Sequence, residues 1–299
     1  MIGKITGSNY KVDKMVVAVR AEDSAETIED AANYTYGVQF EKGADNIQTA
    51  VTDIEKQIGV DTIEVKEYDS VQDQAQALID GDCDAIIYNS AYTSLMEETV
   101  DGYSEKAKVL YTFDIRVELN LGNKDTVATD DSIIKEPFTV YISGIDVYGA
   151  IETNSRSDVN IIAEVNPTTH QILLVTTPRD YYVEIPEVSG GQKDKLTHAG
   201  IYGVDKSMKT LEKLYDTNLD FYARVNFTSL ITMVDALGGV DVESEYAFTT
   251  SEDSGLVMDV VQGTNHFNGK QALAFSRERQ NVPGGDNQRG KDQQAVITA

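Results

Sequence analysis

The sequence predicts an α/β protein of two domains. Three observations carry that reading. β-Branched runs alternate with amphipathic stretches over roughly the first hundred residues. A polar, Gly/Asp/Thr-rich stretch then interrupts the pattern before Pro137. Beyond it, apolar strands end repeatedly in charged residues, the usual placement of a site in an α/β sheet. The domains are drawn as a smaller accessory α/β domain at 1–125, a linker at 126–136 and a larger domain at 137–299.

In the first domain, residues 12–20 (VDKMVVAVR) read as a strand. Ser24 is placed as the N-cap of a helix over 25–32, and 34–40 alternates as a strand. Ile47, Val51, Ile54 and Ile58 fall at helical spacing, so a helix runs from Asp45-Asn46 to Ile58. A strand at 62–68, a helix at 70–80, a buried-type strand at 84–88, a helix at 91–99 and a strand at 108–113 complete the set. Cys83, the one cysteine, precedes an apolar run and reads as a buried structural thiol.

The second domain opens with a strand that delivers Asp146 just past Gly144 (YISGID). In RSDVN, strict alternation puts Arg156, Asp158 and Asn160 on one face and Ser157, Val159 and Ile161 on the other. A hairpin through 166–170 leads into a strand ending at Arg179-Asp180. Residues 193–203 (KDKLTHAGIYG) read as a polar loop entering a helix at 204–215, and 226–237 as a strongly apolar helix before Gly238-Gly239. A short helix at 269–275 and another starting at Gly290 flank a Pro-Gly-Gly loop.

That loop is where the charge is unusual. The chain has eight arginines and a net charge of -25, yet Arg277, Arg279 and Arg289 cluster here with Gln293. Guanidinium forks match phosphate or carboxylate geometry, so an acidic chain that gathers them is built to hold an anion. Arg289 and Gln293, four apart, share a helix face. The plain alternative is a solvated loop whose arginines pair with Glu278, Asp286 and Asp292. Asp146 and Asp158 at strand ends suit a hard cation such as Mg²⁺, which takes one or two carboxylates together with water and phosphate.

Composition excludes other classes. The acidity opposes binding to nucleic acid and to anionic lipid surfaces. Hydrophobic content of 41% and 16 tyrosines indicate a folded chain. The three histidines are scattered, and no Walker loop, GxSxG elbow or zinc motif is present. No apolar run reaches membrane-spanning length, and the chain ends in helix-like sequence, so a fragment of a longer protein is expected.

The ordered series YISGID, RSDVN, TTPRD, KLTHAGIYG, NFTSLITMVDALGGVDV and FSRERQ…GGDNQRGKDQQ resembles the LytR–CpsA–Psr family over about 137–299. The preceding domain is similar to that of the capsule-biosynthesis members. The resemblance implies an LCP-type α/β domain with a central sheet flanked by helices. It implies a Mg²⁺-dependent phosphotransferase on the extracellular face of the cell membrane, held by an anchor outside these residues. The implied donor is a glycopolymer (capsular polysaccharide or teichoic acid) on a polyprenyl-pyrophosphate lipid, and the implied acceptor is peptidoglycan. Asp146 and Asp158 then match the metal-binding aspartates. Arg156, Arg179, Arg277, Arg279, Arg289 and Gln293 match the pyrophosphate set, with Lys195 in a family motif and Asp146, Asp158 and Arg179 as the catalytic group. Ile231, Met233, Val234, Leu237 and Val240 become candidate lining for a polyprenyl tail. Two alternatives stay open: a lipid-carrier binding or regulatory protein, and a phosphatase acting on the same lipid.

Overall fold

The computed structural model describes residues 10–39, 44–118, 136–189 and 191–299. The chain divides into two compact units, one of them Tyr10–Leu119 and the other containing Asn120–Ala299. Most of the expected linker at 126–136 lies outside the described residues, as does Phe40 of the expected strand at 34–40.

The first unit holds β1 (Tyr10–Arg20), β2 (Thr35–Val38), α1 (Ala44–Ile58), β3 (Glu64–Glu67), α2 (Val71–Asp80), β4 (Ala85–Asn89), α3 (Thr93–Thr99), α4 (Tyr103–Lys106) and β5 (Ala107–Glu118). Its sheet runs in the order β3-β2-β4-β1-β5. β2 is parallel to β3 and β4, whereas β1 is antiparallel to β4 and β5. Met15, Val17 and Val19 on one face of β1 meet Ile47, Val51 and Ile54 of α1 in the core, as the spacing requires. Ser70 caps α2 by accepting from the Asp73 N–H at 3.0 Å. The helix expected at 25–32 is shorter, a single 3₁₀ turn over Ile28–Ala31. Asp30 turns back to accept the Glu26 and Thr27 N–H groups, so the helix starts at Thr27 and not at Ser24. Cys83 is buried, and burial pushes its thiol pKa up, as expected of a structural thiol.

The second unit is built on β6 (Phe138–Ile145), β7 (Ser157–Asn166), β8 (Gln171–Thr176), β9 (Tyr182–Glu184), β10 (Lys193–Lys195), α5 (Leu196–Ala199), α6 (Val204–Tyr215), β11 (Phe221–Val225), α7 (Phe227–Ala236), β12 (Val240–Ser244), β13 (Phe248–Thr249), β14 (Asp259–Val260), β15 (Gly263–Phe267), α8 (Gly269–Arg277) and α9 (Asp286–Thr298). The central sheet runs β11-β6-β7-β8, with β11 parallel to β6 and the other pairs antiparallel. Residues 196–202, expected as a polar loop, form α5 and a 3₁₀ turn instead. Leu196, Ala199 and Ile201 turn inward and are buried, which a solvated loop cannot do.

Two close approaches fix the frame. α7 starts with an Asn226–Ser229 capping box and packs on α8 at Gly269, where a Cβ would collide with the Ile231 backbone. Phe275 and Phe267, with centroids 5.3 Å apart, fill the core under α8 beside Val234 and Val242.

Candidate functional site

Asp146 follows the end of β6, and Asp158 is the second residue of β7. Between them the ladder slips. Gly144 pairs with Val159 and Ile145 with Ser157, which leaves Asp158 as the extra residue of a β-bulge. Gly144 is required there, because a Cβ would stand 2.6 Å from the Val159 side chain. The bulge corrects the alternation expected from sequence. Asp158 and Val159 line the same cavity, while Ser157 and Asn160 join Tyr141 in a buried network on the opposite side. Tyr141 Oη lies 3.0 Å from Ser157 Oγ and donates to Asn160 Oδ1 at 2.7 Å, so the bulge is pinned from behind.

Both Asp158 oxygens are engaged. Arg179 donates to Oδ2, and Thr197 Oγ1 donates to Oδ1 at 2.9 Å. Asp146 differs: its side chain is 46% exposed, and Arg277 Nη2 stands 3.8 Å from Oδ1. Burial first, then the charge of Asp158, pushes the Asp146 pKa up, against the pull of Arg277, Arg179 and Arg289.

The cationic wall comes from three elements. Arg179 follows β8, Arg277 and Arg279 stand at the end of α8, and Arg289 lies in the first turns of α9 with Gln293 one turn on. Arg277 lies 4.4 Å from the Phe227 ring centroid and donates to the Ser254 carbonyl at 3.2 Å. Arg289 is buried and pairs with Asp286 at 2.5 Å, and Gln293 donates to the Ser276 carbonyl at 3.2 Å. Burial pushes the Arg289 pKa down, and Arg179 and Arg279 add to this while Asp286 and Asp158 oppose it. Clustered guanidinium groups that disfavour one another's charge are relieved by an anion.

These groups line a cavity of about 670 Å³. Asp146, Asp158, Arg179, Arg277, Arg279, Arg289 and Gln293 all line it. Its remaining wall is mostly apolar, with Leu230, Met233, Val234, Leu237, Val240 and Val296 among the lining side chains. Four of the five apolar residues expected from sequence are therefore there. Ile231 is not among them; its backbone abuts Gly269 instead. A smaller hollow shares Asp158, Arg179, Arg289 and Gln293 with the cavity.

Arg156 and Lys195 are not among the residues lining either hollow, and Lys195 Nζ stands 3.8 Å from Asp180. The ion pairing expected of a solvated loop occurs only at Asp286 among the described residues. Asp292 accepts from Gln288 at 3.0 Å, and Glu278 accepts from backbone N–H groups. Sequence reasoning missed Thr197, although it lies two residues from Lys195 in the motif that was singled out. It also missed Phe227, the ring under Arg277.

A family model described as the LytR_cpsA_psr family matches residues 100–299. The polyisoprenyl-teichoic acid–peptidoglycan teichoic acid transferase TagU of Enterococcus faecalis (strain ATCC 700802 / V583) is 39% identical over 166 residues, 54% of this chain and 52% of the relative. TagU of Bacillus mycoides (strain KBAB4) is 37% identical over 165 residues, 55% of this chain and 51% of the relative. The chain thus spans about half the length of these relatives. The crystal structure of B. subtilis TagV superposes with a TM-score of 0.49 at 28% identity, over 55% of this chain and 63% of that one.

Proposed function

The chain belongs to the LytR_cpsA_psr family, and on that premise we propose that it is a phosphotransferase. It moves a glycopolymer, capsular polysaccharide or teichoic acid, from a polyprenyl-pyrophosphate carrier to a hydroxyl of peptidoglycan. One observation carries the reading: a mostly apolar cavity of about 670 Å³ is lined by four arginines and two aspartates as well. A lipid with a diphosphate head has that division of polarity. The relatives named above are transferases of a polyisoprenyl-linked polymer.

In this proposal the polyprenyl chain occupies the apolar wall, and Arg179, Arg277, Arg279 and Arg289 hold the pyrophosphate, with Gln293 beside them. The residues fit a divalent cation. Two carboxylates face one cavity, and the Asp158 charge adds to burial in raising the pKa of Asp146, a repulsion that a cation removes. Asp146 and Asp158 would hold Mg²⁺, which when bound neutralises phosphate charge. Arg179 and Thr197 fix the orientation of Asp158. Asp146 accepts no hydrogen bond among the described residues, whereas both Asp158 oxygens are engaged, so Asp146 is the carboxylate with an oxygen left to take the proton of the attacking hydroxyl. The phosphorus nearer the sugar is attacked, its bond to the bridging oxygen breaks, and polyprenyl phosphate leaves. The arginines stabilise the charge that spreads over the phosphate oxygens. Arg156 and Lys195 belong to this proposal through the family motif alone. The accessory domain, the linker and an anchor holding the protein at the outer membrane face complete it; nucleic acid has no part in it.

The test is transfer from a synthetic polyprenyl-pyrophosphate glycan to peptidoglycan across a pH series, with and without Mg²⁺. Transfer requires Mg²⁺, and Asp146→Asn, which removes a metal carboxylate together with the proton acceptor, abolishes it across the whole pH series. Release of free glycan phosphate with no peptidoglycan product identifies a phosphatase. Tight lipid binding with no turnover identifies a carrier or regulator. Either outcome sinks the transferase reading.

A further inference from the structure

Glu278 stands between Arg277 and Arg279, where the plain expectation is that it neutralises one of them. The structure places it otherwise. Its side chain is fully buried, and no ion pair joins it to an arginine among the described residues. Its Oε1 accepts three successive backbone N–H groups, from Arg279 at 2.8 Å, Gln280 at 2.6 Å and Asn281 at 3.0 Å. Its Oε2 accepts the Ser251 N–H. Burial alone would raise the Glu278 pKa, but these backbone bonds outweigh it and hold the carboxyl below its usual range.

Converging N–H groups of this kind form an anion-binding nest, and here the chain's own carboxylate fills it. The consequence is geometric. The turn after α8 is closed on one oxygen, and the other oxygen ties it to the segment around Ser251. Two further bonds run alongside: Arg277 Nη1 to the Ser254 carbonyl at 3.2 Å and Asn281 Nδ2 to the Thr249 carbonyl at 2.9 Å. Gln280 Nε2 also donates to Asp253. Ser251 and Asp253 line the same cavity as the two arginines. Glu278 therefore joins the cavity wall to the guanidinium groups without using up their charge.

We infer that Glu278 is a positioning residue for ligand binding: it sets where Arg277 and Arg279 present their guanidinium groups to a diphosphate. The inference rests on the reading of this cavity as a polyprenyl-pyrophosphate site. Glu278→Gln keeps one accepting oxygen but turns an amide N–H toward the Ser251 N–H, donor against donor. Ser251→Pro keeps the carboxylate and removes both donors of Ser251, the N–H and the hydroxyl, and its φ of −79° suits proline.

The experiment titrates octaprenyl pyrophosphate into the full chain and the variants, each below its melting temperature, in a cycle with Arg279→Ala. Glu278→Gln weakens binding about tenfold with Arg279 present and less than about twofold with Arg279→Ala. Ser251→Pro weakens it about threefold with the same dependence on Arg279, and carries the test if Glu278→Gln fails to fold. Unchanged binding, or an equal loss with and without Arg279, overturns the positioning role and leaves the pyrophosphate site standing. Unchanged binding in Arg279→Ala alone sinks the pyrophosphate site, and this inference with it.

Discussion

The two units use their charged residues in opposite ways. In the first, Arg20 spends its guanidinium on the Leu78 and Cys83 carbonyls, at 3.1 and 2.8 Å. Asp13 is fully buried and takes the amides of Asn46 and Asn89, with Lys11 at 3.2 Å. In the second unit Arg277, Arg279 and Arg289 line a cavity, and Asp146 sits among them with a raised pKa. A charge whose bonding capacity is met by the fold is structural, whereas charges that disfavour one another at a cavity wall are waiting for a ligand. Residue type does not separate the two cases; partners do.

The contrast breaks most easily at the arginines. Arg277→Ala with Arg279→Ala is expected to cut glycopolymer transfer about 10⁴-fold, since transition-state charge loses two donors, with little change in melting temperature. A double variant that melts far below the parent chain would mark these arginines as structural. Asp13→Ala is the opposite experiment. It strands two partly buried amides and a lysine, so a loss of about 3 kcal/mol in urea unfolding is expected. Octaprenyl pyrophosphate affinity should stay unchanged while the protein is folded. Reduced affinity would show that the two kinds of charge are not separable in this way.

Much of this was legible in the sequence. Helix spacing places α1, α7 and the α8–α9 pair, and the arginine cluster of the sequence lies on a cavity wall. The failures have physical causes. Strict alternation cannot foresee a bulge, so Ser157 and Val159 were put on one face although the bulge at Asp158 separates them. Residues 196–202 look polar and glycine-rich, yet Leu196, Ala199 and Ile201 recruit them into a buried helix that offers Thr197 to Asp158. Glu278 reads as a counterion because nothing in RER shows that the backbone N–H groups will claim its oxygens.

Asp292 sharpens the comparison from within the second unit, because it is a buried carboxylate that is neither well satisfied nor facing the cavity. Gln288 donates to one oxygen at 3.0 Å, and the other is buried without a hydrogen bond. Burial, helped by the charge of Glu245, pushes its pKa from 3.8 up to about 6. The folded state then holds this proton more tightly than the unfolded chain, so stability is lost as pH rises from 3.8 through about 6. A shift of that size corresponds to at most about 3 kcal/mol at neutral pH. Asp292→Asn removes the buried charge and keeps an acceptor for Gln288. It should raise the melting temperature at pH 7.5 and give little benefit at pH 4. A benefit that does not depend on pH would assign the effect to packing.

The smallest expected effect tests the apolar side of the site. Leu237 and Val234 both line the cavity, but Leu237 is 71% exposed and Val234 only 3%. Val234 belongs to the core beneath α7, so truncating it creates a void and costs stability whether or not a lipid binds. Leu237 has little burial to lose in the folded chain. Covering about 50 Å² of it with a polyprenyl chain is worth about 1.3 kcal/mol, or roughly tenfold in affinity. Leu237→Ala is therefore expected to leave the melting temperature unchanged and to weaken octaprenyl pyrophosphate about tenfold, while inorganic pyrophosphate binds as before. Equal weakening of both ligands would place Leu237 at the phosphate end. No weakening of either would mean that the lipid leaves the cavity by another side. The difference between the two ligands isolates the tail's contribution from that of the guanidinium groups.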